Sequence, residues 1–290
     1  MGRRLGQHFL SDPAILDRIA DALSPVVGDI VIEIGPGRGS LTGRIAPRVG
    51  RVVAIEKDSS LAARLKEEQG AGSGERNIGS NVEVIHGDAL KLDWHKLIRE
   101  SPLPAPCSPL PDAESPLPAP CSPLPDFKVV GNVPYYITTP LIDKALTPPR
   151  PNVVVFLVQS EVAERVVAPP GGKTYGALSV GVQSVATVER LFTVRPGSFT
   201  PPPNVGSAVV RFSPLAQPLV AETEVSAFRR FVTSVFAQRR KQLIRILRTL
   251  TGWERERVGA ALCDLGVDTT ARPETLPPET FVALFRHVNR

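Results

Sequence analysis

Short apolar runs alternate with stretches of helical period along most of the chain. Ile30 to Ile34, Arg51 to Ile55, Val82 to His86, Phe127 to Gly131 and Asn152 to Val158 are rich in β-branched residues and read as short buried strands. Between them, Ser59 to Gln69, Pro140 to Leu146 and Gln159 to Val167 read as helices. Ahead of the first strand, Ser11 or Asp12 caps a helix with Pro13 in its first turn, and Ile15, Leu16, Ile19, Ala20 and Leu23 share one face. This alternation predicts an α/β fold built on a doubly wound, Rossmann-like sheet. Leu178 to Val188 and Val205 to Phe212 alternate as two further extended strands. Beyond a proline-punctuated linker, Pro214 to Pro218, the pattern turns helical over Phe228 to Arg248, Glu254 to Leu265 and Pro277 to Val288. The expected division is a sheet domain over 1–213 and a small helical domain over 214–290.

Two stretches interrupt the rhythm. Gly70 to Asn81 is a Gly/Ser/Asn patch. The dodecapeptide SPLPAPCSPLPD occurs at Ser101 to Asp112 and again, letter for letter, at Ser115 to Asp126. Ten prolines among these 26 residues (101–126) forbid a helix or a sheet ladder, so polyproline II or disorder is expected. A solvated insertion between two core elements is the plain reading; a ligand for an SH3-type domain is the alternative.

Composition narrows the classes. A chain of 290 residues with 42% hydrophobic content has room for a large domain and a small one. Its net charge of +5 admits a polyanionic partner. Three cysteines, two of them inside the repeat, and four scattered histidines offer neither a disulfide framework nor a metal site. No apolar run is long enough to span a membrane. A recognisable motif begins at Gly6, which leaves no room for a leader, and a cytoplasmic, reducing compartment is expected.

The chemistry gathers at the strand ends. The first strand stops in Gly35-Pro36-Gly37-Arg38-Gly39, and a helical pattern opens at once. The frame is E-x-G-x-G-x-G from Glu33, not the dinucleotide G-x-G-x-x-G, whose third glycine would fall on Ser40. Glu56 ends the second strand, 21 residues after Gly35, placed to accept hydrogen bonds from a ribose. This pairing resembles the class I S-adenosylmethionine (SAM) methyltransferases. Asp88, at the tip of the third strand, is placed to accept from the adenine amino group of SAM, although a Gly-Asp-Ala triplet is also common turn chemistry. The fourth strand delivers Asn132-Val133-Pro134-Tyr135, which resembles the signature of methyltransferases acting on exocyclic amines. An adenine N6 lone pair is delocalised into the ring and is a poor nucleophile. Acceptors on Asn132 and the Val133 carbonyl can hold its hydrogens, Pro134 stiffens the loop, and Tyr135 offers a stacking face. Phe199 opens a rigid proline loop and is either a core anchor or a second stacking wall opposite Tyr135. The basic run Gln238-Arg239-Arg240-Lys241 breaks the apolar rhythm of its helix and is expected to face outward, as solvated surface or as a grip on phosphates.

Taken in order, GQHFL, EIGPGRG, Glu56, GDA, NVPY, KTYGALSV, SFTPPPNVGSAVVRF and FAQRRKQL resemble the KsgA/RsmA family of ribosomal RNA adenine dimethyltransferases over nearly the whole chain. The resemblance implies two N6,N6-dimethyladenosines made at adjacent positions near the 3′ end of small-subunit (16S) rRNA, with SAM as donor and the immature 30S subunit as partner. It implies a monomer without metal or membrane contact, with the two late strands forming the antiparallel edge of the sheet. It also implies that His8 and Leu10 join Gly35, Gly37, Glu56, Asp88 and Asn132 around SAM, with His8 standing where many members carry Asn. Other readings share part of the pattern: a large-subunit (23S) adenine methylase of the macrolide-resistance type, a DNA adenine methylase, and a non-catalytic assembly factor. The fuller C-terminal match favours the small-subunit enzyme, and a non-catalytic descendant would be expected to have lost Glu56, Asp88 or Asn132.

Overall fold

A computed structural model describes residues 8–71, 78–99 and 126–289. Gly6, Gln7, the centre of the Gly/Ser patch and nearly all of the proline repeat lie outside the described residues. In chain order the elements are β1 (Phe9–Leu10), α1 (Pro13–Ala22), β2 (Ile30–Ile34), α2 (Thr42–Ile45), β3 (Arg51–Glu56), α3 (Ser59–Ala71), β4 (Val82–His86) and α4 (Trp94–Arg99). Then follow β5 (Phe127–Asn132), α5 (Thr138–Ala145), β6 (Val153–Gln159), α6 (Ser160–Val167), α7 (Ala177–Gln183), β7 (Ala186–Val194), β8 (Phe199–Thr200) and β9 (Ser207–Pro214). The chain finishes with α8 (Val225–Phe236), α9 (Leu243–Thr251), α10 (Arg255–Asp264) and α11 (Pro278–Val288).

One seven-stranded sheet, ordered β4-β3-β2-β5-β6-β9-β7, carries the molecule. Its first five strands are parallel; β9 runs against them, and β7, paired antiparallel with β9, returns to their direction. The inner parallel strands β3, β2, β5 and β6 are buried on both faces, as their largely apolar runs require, while the edge strand β4 exposes Glu83 and His86. Helices cover both faces and generate two of the three core clusters. The order reverses between β2 and β5, and a crevice at the carboxyl ends of these strands is where an open α/β sheet takes a ligand. The two strands lie unusually close at that point. A Cβ on Gly131 would stand 2.7 Å from the Ile34 carbonyl oxygen, so β5 can reach its register only with glycine there.

At the N-terminal end, Asp12 rather than Ser11 caps α1, its Oδ1 accepting from Ala14 N at 3.0 Å and Ile15 N at 3.3 Å. Two sequence expectations need correction. Leu178 to Val188 is not one strand: Ala177–Gln183 is helical and the strand starts at Ala186. Val180, Gly181 and Val182 are all buried there, and a short helix enclosed on every side shows no period by which to separate it from a strand. Phe228 to Arg248 is not one helix either. It stops at Phe236 and restarts at Leu243, which puts Leu243, Ile244, Ile246 and Leu247 in the core while the basic residues occupy the intervening turn.

The four C-terminal helices do not have a core to themselves. Phe228, Val232, Phe281 and Leu284 share a cluster with Ala168, Tyr175 and Val180 from before the linker. Tyr175 is fully buried and its hydroxyl donates to the Leu276 carbonyl at 2.8 Å.

Candidate active site

The glycine turn after β2 forms one wall of a cavity, the loop after β5 another, and the N-terminal tail its cover. Gly35 and Gly37 have φ of +68° and +59°, the left-handed region that side chains resist. A Cβ on Gly37 would lie 3.0 Å from Cε1 of Phe9, so the tail's ring closes over the turn only because position 37 is bare. The guanidinium of Arg38 stands 4.6 Å from the centre of the same ring.

Glu56 leaves β3 into this cavity and is braced by backbone donors on both oxygens. Its Oε2 accepts from Gly37 N at 3.0 Å and its Oε1 from Asp58 N at 2.9 Å. Glu33, one strand over, is also buried and lines the cavity, but its Oε2 has no hydrogen-bond partner. Burial pushes the Glu33 carboxyl up to about 7, an effect that Thr42 partly opposes and the Glu56 charge reinforces. Thr42 lies close enough to act on the carboxyl, yet its hydroxyl also lacks a well-formed hydrogen bond.

The tail is tied down by a two-stranded pairing of β1 with β8, Leu10 opposite Phe199 and Phe9 opposite Thr200. The pairing continues through Ser11 N, which donates to the Ser198 carbonyl at 3.0 Å. His8 Nδ1 donates to the Pro201 carbonyl at 2.8 Å, and the imidazole stacks on Tyr135 with ring centres 6.0 Å apart and planes 27° apart. The His8 carbonyl in turn accepts from Asn132 Nδ2 at 2.9 Å. Only the NH2 end of an amide can donate, so this bond orients the side chain and leaves Oδ1 for another partner. Tyr135 is held at its far end by a 2.8 Å hydrogen bond between its hydroxyl and that of Ser207.

The structure therefore brings together His8, Leu10, Gly35, Gly37, Glu56, Asn132, Pro134 and Tyr135 around one cavity. Asp88 sits apart from its lining. One of its oxygens pairs with Lys57 Nζ at 3.0 Å and the other accepts from Leu90 N at 3.0 Å. Phe199 is not a wall opposite Tyr135: it is only 3% exposed and packs in the core with Leu10, Val194 and Val209. Its pairing with Leu10 turns the ring inward. Arg239, Arg240 and Lys241 lie in the turn after α8, away from the cavity, and Arg239 Nη2 donates to the Lys173 carbonyl at 3.3 Å. The sequence motifs include Glu33, Phe9 and Ser207 but assign none of them a role of its own. For Glu33 a signal was present, since an acidic residue inside a fully buried strand needs a reason.

A glycine cradle, a braced carboxylate and a buried carboxyl with one oxygen unpartnered suit a ligand that carries a ribose and a cation, as SAM does. The model of the ribosomal RNA adenine dimethylase family matches residues 2–290. The ribosomal RNA small subunit methyltransferase A of Nitrosococcus oceani is 37% identical over 98% of this chain and 95% of its own. That of Moorella thermoacetica is 40% identical over 97% and 90%. Among solved structures, a dimethyladenosine transferase from Plasmodium falciparum superposes with a TM-score of 0.73 at 26% identity, covering 96% of both chains. The 23S rRNA methyltransferase ErmE follows at 0.67, also at 26% identity, covering 97% of this chain and 100% of its own. The chain belongs to the ribosomal RNA adenine dimethylase family and is a SAM-dependent methyltransferase of ribosomal RNA adenine.

Proposed function

We propose that the protein dimethylates N6 of two adjacent adenosines near the 3′ end of small-subunit rRNA in the immature 30S particle, acting as a cytoplasmic monomer without a metal. The observation that carries this reading is the Asn132 amide, oriented by the His8 carbonyl beside Tyr135 and within one cavity with Glu56. The relatives at 37% and 40% identity are named as small-subunit enzymes, which favours that subunit over the 23S substrate of ErmE.

Each residue then has a task. Glu56 accepts from the ribose hydroxyls, Gly35 and Gly37 let the backbone approach, and His8 and Leu10 close the cofactor in. Asp88 keeps acceptor capacity for the adenine end while paired with Lys57. When bound, SAM supplies an electrophilic methyl group on a sulfonium. Asn132 Oδ1 and the Val133 carbonyl hold the N6 hydrogens so that the nitrogen lone pair turns out of the ring plane, and Tyr135 fixes the ring. Positioning and electrostatics take the place of a strong base. Arg239, Arg240 and Lys241 supply phosphate contacts from the helical domain, 214–290.

Primer extension on small subunits that lack the modification, incubated with the protein and SAM, tests the reading. Two adjacent stops near the 3′ end of 16S rRNA are expected. Modification of 23S rRNA instead, or none at all, would overturn it.

A further inference from the structure

We infer that Tyr136 is a second base-stacking platform, which holds the nucleotide next to the target adenosine while that adenosine occupies the cavity beside Tyr135. The inference rests on the proposed reading, because it is there that the neighbouring nucleotide is itself a substrate.

Tyr135 and Tyr136 follow one another in the short turn between β5 and α5, yet their surroundings differ. Tyr135 lines the cavity, is stacked by His8 and is hydrogen-bonded to Ser207. Tyr136 lies outside that lining and is 60% exposed. Among the described residues it is the one Phe, Tyr or Trp that is exposed rather than buried or half-buried. The backbone that carries it is fixed on either side. Ile137 N donates to the Pro134 carbonyl at 3.1 Å, Thr138 Oγ1 donates to the same oxygen at 3.3 Å, and α5 starts at once. An aromatic ring held in water by a rigid turn loses hydrophobic stabilisation unless something covers it.

What covers it follows from where it stands. Asn132, Glu56 and Asp88 mark the carboxyl edge of the sheet, and Tyr136 projects from that edge. Lys57, which follows Glu56 on that edge, is paired with Asp88 at 3.0 Å. An exposed ring on an edge that also carries a cation matches the two features of a nucleotide, a base to stack and a phosphate to attract. A base drawn into the Asn132 cavity brings its chain neighbour to within one backbone step, and two consecutive tyrosines provide consecutive seats. Stacking is tolerant of base identity, so the platform would accept the neighbour before or after it has been methylated.

The test uses unmethylated small subunits reconstituted with rRNA in which one of the two adenosines is retained and its neighbour is adenosine, uridine or an abasic residue. Single-turnover methylation of the retained adenosine at subsaturating RNA is measured for the native protein, Tyr136→Ala and Tyr136→Trp. The native enzyme should lose roughly 10-fold on an abasic neighbour, the loss expected for one stacked base. Tyr136→Ala should start lower by a similar factor and lose nothing further, Tyr136→Trp should behave as native, and SAM affinity should stay unchanged in both. An equal abasic penalty in native protein and Tyr136→Ala would overturn the inference, and so would weakened SAM binding, which would make the ring a cofactor lid. If the native enzyme methylates neither adenosine of the intact pair, the proposed reading fails first, and that outcome is distinct from both.

Discussion

Glu33 and Glu56 meet in one cavity, but the chain equips them differently. Glu56 receives two backbone N–H groups and is fixed as an acceptor. Glu56→Ala should weaken SAM binding by about 1–3 kcal/mol, the usual loss for hydrogen bonds to a charged group, measurable by calorimetry on the folded variant. Glu33 is not braced on both oxygens, its Oε2 having no partner, and burial raises its carboxyl from 4.5 to about 7. The folded state therefore holds a proton that the unfolded state releases, and stability falls as pH rises from about 4.5 to about 7, then levels off. Glu33→Gln should melt a few degrees above the native protein at pH 8 and lose that advantage by about pH 4.5, as thermal unfolding across pH would show. Asn132 depends on its donor end as much as on its acceptor. Asn132→Asp would set a carboxylate against the His8 carbonyl, so single-turnover methylation at saturating SAM should drop on the order of 100-fold, as for Asn132→Ala. A native rate in either variant would refute the assigned role. The positions of Glu56 and Asn132 are legible in the sequence because each ends an apolar run, and run ends map to the sheet edge. Phe199 is not, because its burial depends on pairing with Leu10, a contact that no local pattern records.

At the level of elements, the parallel strands follow from β-branched runs with turn residues after them, and their order follows from connection rules. The sequence falls short where a helix is short and wholly enclosed, as in α7, or where a helical period continues across a break. Between α8 and α9 the apolar rhythm resumes after an interval that another helical turn would also fill, so only packing against the third core cluster reveals the interruption. The break places Arg240 and Lys241, both exposed, on a turn rather than on a helix face. Replacing Arg239, Arg240 and Lys241 together should weaken RNA binding and lower its salt slope by about two to three, at roughly 0.7–0.9 per phosphate contact, without changing SAM affinity. An unaltered salt slope would return the cluster to plain solvated surface.

Across the whole molecule, the shared cluster around Tyr175 binds the C-terminal helices to α7 and the loop before it. Arg229 of α8 adds to this attachment, its Nη1 donating to the Asp143 carbonyl of α5 at 2.9 Å. The helical part and the rest of the chain should therefore unfold as one. Calorimetry should give a single transition, and residues 214–290 expressed alone should not fold; two resolved transitions would contradict the shared core. The point at which the proline repeat joins the chain has a different consequence. The described chain leaves α4 at Arg99 and returns at Asp126, at the amino end of β5, whereas Asn132 lies at its carboxyl end, about 20 Å along the strand. Tandem copies of this kind are gained and lost in whole codons when a replicating strand slips. Such slippage would add or remove residues at a junction on the edge opposite Asn132, so lineages with one copy or three should persist side by side, and the number of repeats can drift as a neutral marker of descent.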